Sequence, residues 1–362
     1  MEYLSLSLSL TLACLGNAAL TAIAQNATAE ALVVSVKFCI SARTCDNLRH
    51  ACHWSVRDPY AKTFTNPLTN WTANLLHHNT ALDDASNRLV ALPNVDTLYS
   101  LAVLHLSAGE VVTTMPAWEG RFYVWPFYDL YANNVCNIGT ITNSTAGKYL
   151  IKCHPSDPGC VSEPERGDYA GLIYLPMVYG LTLLRIEVGN TSDTTHVVCW
   201  IQPEFSLSPI PSHGNCGAPA LTKALLADNL TVSNALLYTM QLLARFAEYN
   251  PPEVSADVPH IAATLKAAGI STSAKKYTQP AHVNLTQAYS DAQAVATAVK
   301  TIPADFVSLG GGWGTPAPAL SGDLHSHYDM RAFIAIQGYL QLQASRAVSP
   351  SFASPSGTLY TN

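Results

Sequence analysis

The chain has 362 residues, enough for two compact units at roughly 150 residues per domain, and only 12% of them are charged against 48% hydrophobic. Lys and Arg number 19 against 25 Asp and Glu, a formal charge of −6 with no basic run, which excludes a binder of nucleic-acid backbones. No segment beyond the N-terminus reaches the ~20 uninterrupted apolar residues of a membrane span, so something other than charge has to keep this surface wet.

The N-terminal YLSLSLSLTLACLG is apolar but too short to span a bilayer, and TAIAQ follows with small residues at Ala22 and Ala24 in signal-peptidase spacing. A signal peptide over residues 1–24 and a secreted, extracellular product are expected. The leader carries Glu2 and no Lys or Arg, which leaves an uncleaved anchor or an inexact start site open. Six N-x-S/T acceptors lie beyond it, at Asn26, Asn70, Asn143, Asn190, Asn229 and Asn284. Glycans there would solvate a surface poor in charge, although a chain rich in Ser and Thr also gains such triplets by chance. Of nine cysteines, Cys14 falls in the leader, leaving an even number for a disulfide framework. Cys153 and Cys160 bracket the turn-forming CHPSDPGC and are expected to pair, Cys199 and Cys216 flank a second turn, and Cys136 reads equally as a buried thiol.

Residues 25–92 read as a helical and irregular segment. Within it residues 38–56, beginning FCISARTCDNLRHACHW, suggest a stapled loop or a stretch admitted by an imperfect gene model. From 93 to 215, runs rich in β-branched and aromatic residues (TLYSLAVLHLS, RFYVWPFYDLY, GLIYLPM, LTLLRIEV) alternate with turn signals, the pattern of an antiparallel β-sandwich. Residues 216–362 turn helical: NALLYTMQLLARFAEYNPP stops at Pro251 and Pro252, HIAATLKAAG and TQAYSDAQAVATAVK continue, and DMRAFIAIQGYLQLQASRA closes the series. SLGGGWGTPAPALSG reads as the one long irregular loop. The expected class is α+β, a sandwich followed by a helical unit.

No G-x-S-x-G elbow, H-E-x-x-H zinc helix or dinucleotide-binding loop occurs in the sequence. The polar residues that stand out are Asn94, Asp96 and Tyr99 of PNVDTLYS, and Arg121, Tyr123, Asp129, Tyr131 and Asn133 of GRFYVWPFYDLYANN. Strand residues two apart share a face, which aligns Arg121 with Tyr123 and Asp129 with Tyr131. Asp96 and Arg121 are expected to meet across neighbouring strands, where an aspartate stays ionised and suits accepting a proton. The same residues read equally well as a structural ion pair and turn caps.

These blocks resemble the core of domain-of-unknown-function family 1254, which shows P-N-x-D-T-L-Y-S, then G-R-[FY]-Y, then D-x-Y-x-N ahead of a glycine. Here the matching positions are Pro93 to Ser100, Gly120 to Tyr123, and Asp129, Tyr131, Asn133 and Gly139. YGLTLLRIEV with Arg185 resembles the family's next strand, and GDLHSHYDMRAFIAIQGY, with Gly322, Tyr328, Arg331 and Ala332, its closing element. The resemblance, over about residues 65–350, implies an immunoglobulin-like sandwich with a helical part and frequent export, and no particular reaction. The chain departs from the pattern in lacking the usual glycine-tyrosine-proline-leucine element and in stopping where a companion family 1214 domain commonly begins.

His325 and His327 form an H-x-H step that, with Asp323 or Asp329, could ligate a metal. The resembling proteins carry other residues at these two positions, and no metal or other cofactor is expected. Asp329 or Ser326 instead caps the last helix, with Tyr328 and Arg331 on one face and Arg331 reaching Asp96 or Asp129. His77 and His78 read as a solvated loop pair. The leading expectation is a secreted enzyme acting on a small polar organic substrate by acid-base chemistry. Asp96 would be the base, Tyr99 the proton donor, and Arg121 and Asp129 further catalytic groups, with Asn94, Tyr123, Asn133, Arg185, Tyr328 and Arg331 binding substrate. The alternative is a non-catalytic module that stacks a sugar or aromatic ligand on Trp118, Trp125 and Tyr128. A third option is a homo-oligomer that hides an exposed sandwich edge.

Overall fold

The computed structural model describes residues 22–32, 72–83, 94–117, 120–131, 133–161, 167–211, 218–231, 233–337, 340–347, 350–353 and 359–361. Most of the expected leader, residues 38–56, Asn70, Trp118 and Cys216 lie outside them. The acceptors Asn26, Asn143, Asn190, Asn229 and Asn284 are all exposed.

Ten strands build the sandwich: β1 (His77–His78), β2 (Thr97–His105), β3 (Gly109–Met115), β4 (Tyr123–Asp129), β5 (Asn134–Gly139), β6 (Gly147–Cys153), β7 (Gly159–Val161), β8 (Tyr169–Leu175), β9 (Tyr179–Glu187) and β10 (Ser206–Pro211). They form two five-stranded sheets, in the orders β1-β2-β9-β4-β5 and β10-β3-β6-β8-β7. Every pairing is antiparallel except β6 with β8, which is parallel because β7 and its turn carry the chain back across the sheet. Alternation along each strand decides what goes where. Leu98, Ala102 and Leu104 of β2 and Tyr123, Trp125 and Phe127 of β4 enter the space between the sheets, where they meet Ile151 and Ile173 from the second sheet. Each such side chain, fully withdrawn from water, contributes about 1.5–3 kcal/mol.

Val103, Tyr128 and Leu181 point the other way, into a second core shared with the helices. These are α1 (22–32), α2 (Thr191–His196), α3 (Lys223–Ala227), α4 (Ala235–Phe246), α5 (Val258–Ala267), α6 (Leu285–Ala298) and α7 (Tyr328–Gln337). In α4, Asn234 caps the start by accepting from the Leu237 N–H, and Leu236, Met240 and Leu243 recur at helical spacing on the buried side. Its continuation stops at Pro251 and Pro252, which cannot extend a helix. Asn284 caps α6 in the same way.

The region is not purely helical. Two short strands, β11 (Ile270–Ser271) and β12 (Lys276–Tyr277), pair with each other, and β13 (Phe306–Gly310), β14 (Trp313–Pro316), β15 (Ser351–Ala353) and β16 (Leu359–Thr361) form a four-stranded sheet. The stretch expected as an irregular loop is therefore largely the β13–β14 hairpin: its glycines form the turn, and the flanking Phe306, Val307 and Trp313 supply strand-forming residues.

The expected Cys153–Cys160 pair does not form. Strand β8 lies between β6 and β7, so the two cysteines sit opposite Leu175 and Ile173 on either side of it. Cys160 bonds instead to Cys136 of β5, with Cα atoms 5.3 Å apart. The bond joins the last strand of one sheet to the last strand of the other and settles Cys136 as a disulfide partner. Closing a loop of 24 residues removes chain entropy worth about 3 kcal/mol from the unfolded state. Denaturation of Cys136→Ser should show a loss near that size, and non-reducing peptide mapping should recover residue 160 linked to residue 136.

Candidate functional site

The sheet end at Asp129 is the starting point. The carboxylate of Asp129, at 0% exposure, closes a tight turn by accepting from the Asn133 N–H at 2.8 Å and from its side-chain Nδ2 at 2.7 Å. An amide nitrogen carries two hydrogens, and the second goes to Glu253 Oε2 at 3.2 Å. The Asn133 Oδ1 accepts from the Leu324 N–H at 3.3 Å, and the Asn134 N–H reaches Gly322 O at 2.7 Å. One asparagine thus ties the β4–β5 turn both to the stretch after α4 and to the loop before α7.

That loop presents the chemistry. His325 Nδ1 lies 3.0 Å from Glu253 Oε1, and its Nε2 lies 3.4 Å from Asp323 Oδ2. The residue sits at a φ of 44°, a left-handed conformation few non-glycine residues adopt. Burial pushes the Glu253 carboxyl up, helped by the charges of Asp323 and Asp129, and burial also raises Asp323. Gly322, at a φ of 87°, lets the loop rest on the next segment, since a Cβ there would come within 2.5 Å of the Gln343 nitrogen. Between the two segments lies a cavity of about 350 Å³ lined by Ser321, Asp323, His325, Gln343 and Ser345 among others.

Arg331 stands behind this array at 2% exposure. Its guanidinium lies between the rings of Tyr131 and Tyr328, 4.4 and 4.5 Å from their centroids, and Nη1 donates to the His325 carbonyl at 3.3 Å. Tyr328 donates in turn to Asp257 Oδ2 at 2.7 Å. The anticipated contact of Arg331 with a carboxylate is replaced by this stacked position and a main-chain acceptor. Glu253, Asp323 and His325 each bring one donor atom within 4.8 Å of the others, the one such trio among the described residues, and His327 is not part of it. The two nitrogens of His325 face different carboxylates, which is the geometry of a hydrogen-bonded relay; one ion shared by all three would need the ring to give up a contact.

The other predicted residues lie elsewhere. Arg121 precedes β4 and meets not Asp96 but Asp193 in α2, through two bonds of 2.7 and 2.8 Å, because the end of β9 delivers α2 beside it. Asp96 is exposed, and its carbonyl accepts from the Val188 N–H. Tyr123 points into the sandwich against Phe205 rather than sharing a face with Arg121. Tyr99 pairs across the sheet with Arg185, and its hydroxyl accepts from the Asn94 N–H at 2.7 Å. Trp125 and Tyr128 are fully buried and offer no stacking platform. His77 and His78 are strand residues, not a solvated pair: His78 Nδ1 is 2.7 Å from Ser100 Oγ, and burial lowers both imidazoles, His77 to about 4. Glu253 and Asp257 escaped notice in the sequence; the only signal was an acidic residue directly after a proline pair.

The Arg121–Asp193 pair makes a pH-dependent contribution. The Arg121 hydrogen bond, then the Gly189 N–H, hold Asp193 down to about 2 against an ordinary 3.8. A depressed carboxyl stabilises the fold fully above its unfolded value, and the effect is lost as pH falls through the folded one. Melting curves of Asp193→Asn should therefore lie below the wild type at neutral pH and converge with it by about pH 2.

Residues 73–209 match the family model described as "Protein of unknown function (DUF1254)". No curated protein matches the chain. The crystal structure of the VPA0106 protein from Vibrio parahaemolyticus is similar to it with a TM-score of 0.54 at 13% identity, over 90% of this chain and 69% of that one, a likeness of fold. The family match runs from just before β1 into β10 and so spans the sandwich.

Proposed function

We propose that the chain is an enzyme acting on a small polar organic molecule by proton transfer, with the cavity beside His325 as its site. One observation carries this reading: an exposed imidazole on the cavity wall, held between two carboxylates, one of them anchored by Asn133 to the buried Asp129. A carboxyl raised by burial sits nearer to neutral pH, where a group that both takes and returns protons works best. Glu253 is accordingly the final base: Asp323, on the cavity wall, takes the proton from the ligand, and His325 carries it on from Nε2 to Nδ1 and so to Glu253. Arg331 fixes the His325 backbone from behind. The lining of hydroxyl, amide, carboxylate and imidazole groups favours a hydrophilic substrate, and the burial of Trp125 and Tyr128 speaks against a stacked aromatic one.

The test begins with purified protein and a library of small polar metabolites, followed for consumption by mass spectrometry. Once a substrate is found, Glu253→Gln and His325→Ala should each lower kcat by about 10²–10⁴, whereas Asp193→Asn should not; retention of turnover in both relay variants would remove the proposal. A ligand recovered unchanged at every concentration would favour a binding protein instead.

Stability gives a second readout. A carboxyl raised in the folded state costs stability as pH climbs through its raised value, so Glu253→Gln should melt above the wild type at pH 7. That gain should close as pH falls into the ordinary carboxylate range.

A further inference from the structure

Arg185 is a charge without a counter-ion. No carboxylate pairs with it among the described residues: its Nη2 donates to the main-chain carbonyl of Leu340 at 3.0 Å, and its buried Nε has no hydrogen-bond partner. The fully buried Tyr128 hydroxyl donates to the same carbonyl at 2.9 Å, and the Tyr99 ring lies 6.0 Å from the guanidinium carbon. Two strong donors therefore converge on one neutral acceptor, beside a third donor that is left empty.

The acceptor itself is held awkwardly. Leu340 has a φ of 62°, in the left-handed region that bulky residues avoid, while its side chain is buried in the core shared with the helices. Rotation of the single peptide plane between Leu340 and Gln341 would turn the carbonyl away and leave that side chain in place. The Nε and Nη2 hydrogens of a guanidinium run parallel and match the two oxygens of a carboxylate, a fit that neither one carbonyl nor a point cation reproduces.

We propose that Arg185, with Tyr128, is a carboxylate-binding subsite whose place is taken by the Leu340 carbonyl until a ligand arrives. The carbonyl that occupies the subsite belongs to the segment that also lines the cavity described above: Leu340 and the cavity residue Gln343 are three residues apart, a reach of at most about 10 Å. Resting on the reading of that cavity as the reaction site, this names the substrate class as a small carboxylic acid: the carboxylate is held at Arg185, and the reacting end lies toward His325.

The experiment titrates the whole chain with acetate, glycolate and malonate, with chloride and inorganic phosphate as controls, following heat of binding and amide hydrogen exchange at residues 341–343. Saturable binding of at least one carboxylate, faster exchange at those amides on binding, and a loss of about tenfold or more in affinity in both Arg185→Gln and Arg185→Lys are expected. The lysine variant keeps the charge and removes the fork, so full retention of affinity there overturns the assignment. Phosphate binding as tightly as the carboxylates, or no saturable binding of any carboxylate into the tens of millimolar, overturns it as well. Glu253→Gln separates the two readings: carboxylate binding that persists in this variant supports the subsite whether or not turnover is lost.

Discussion

A single carboxamide holds the site together. Asn133 satisfies a carboxylate on the sheet with one hydrogen and a carboxylate on the helical side with the other, while its oxygen takes a backbone N–H from the loop that carries His325. Remove it and two acidic groups, one without any exposure to water, lose the donor that bridges them. Arg331, behind the array, is engaged with a carbonyl and two aromatic rings. Everything the cavity presents to a ligand is therefore referenced to a turn of five residues at the end of β4.

Much of this was readable beforehand because it is local. Strand β2 is a short, nearly continuous run of apolar and β-branched residues covered on both faces, and α4 repeats Leu236, Met240 and Leu243 with period near 3.6, so both elements follow from local sequence alone. The Asp129 and Asn133 positions are four apart in one turn, and Tyr328 and Arg331 three apart on one helix, so each pair could be seen as a pair. What stayed hidden is long-range. Asn133 meets Glu253 across 120 residues and His325 meets Glu253 across 72. No propensity or motif carries that information; it resides in how α4 is laid over the sheet. The same limitation explains Arg121, whose partner is delivered by the return of β9, and Cys160, whose nearest cysteine in sequence is screened off by a strand inserted between them.

The polar residues of the sheet thus divide into populations with different duties. At the Arg121 end, the salt bridge fastens α2 to the start of β4. On the outer face of the first sheet, Arg185 and Tyr128 meet the segment that follows α7. At the Asp129 end, side chains from the sheet, from the stretch after α4 and from the loop before α7 come together. One stretch, from Arg121 to Asn133, contributes to all three because a strand runs the full length of a sandwich and places neighbours in the chain at opposite ends and on opposite faces of it.

The Cys136–Cys160 bond bears on the site more closely than its distance along the fold suggests. Cys136 stands three residues beyond Asn133, on the strand that leaves the turn, so the covalent tether steadies the floor on which the amide bridge is built. Reduction would leave both hydrophobic cores filled but allow that floor to wander, blurring the alignment of donor and acceptor by tenths of an ångström. The redox history of the molecule would then be written first in how sharply it distinguishes one ligand from another, and only afterwards in whether it stays folded.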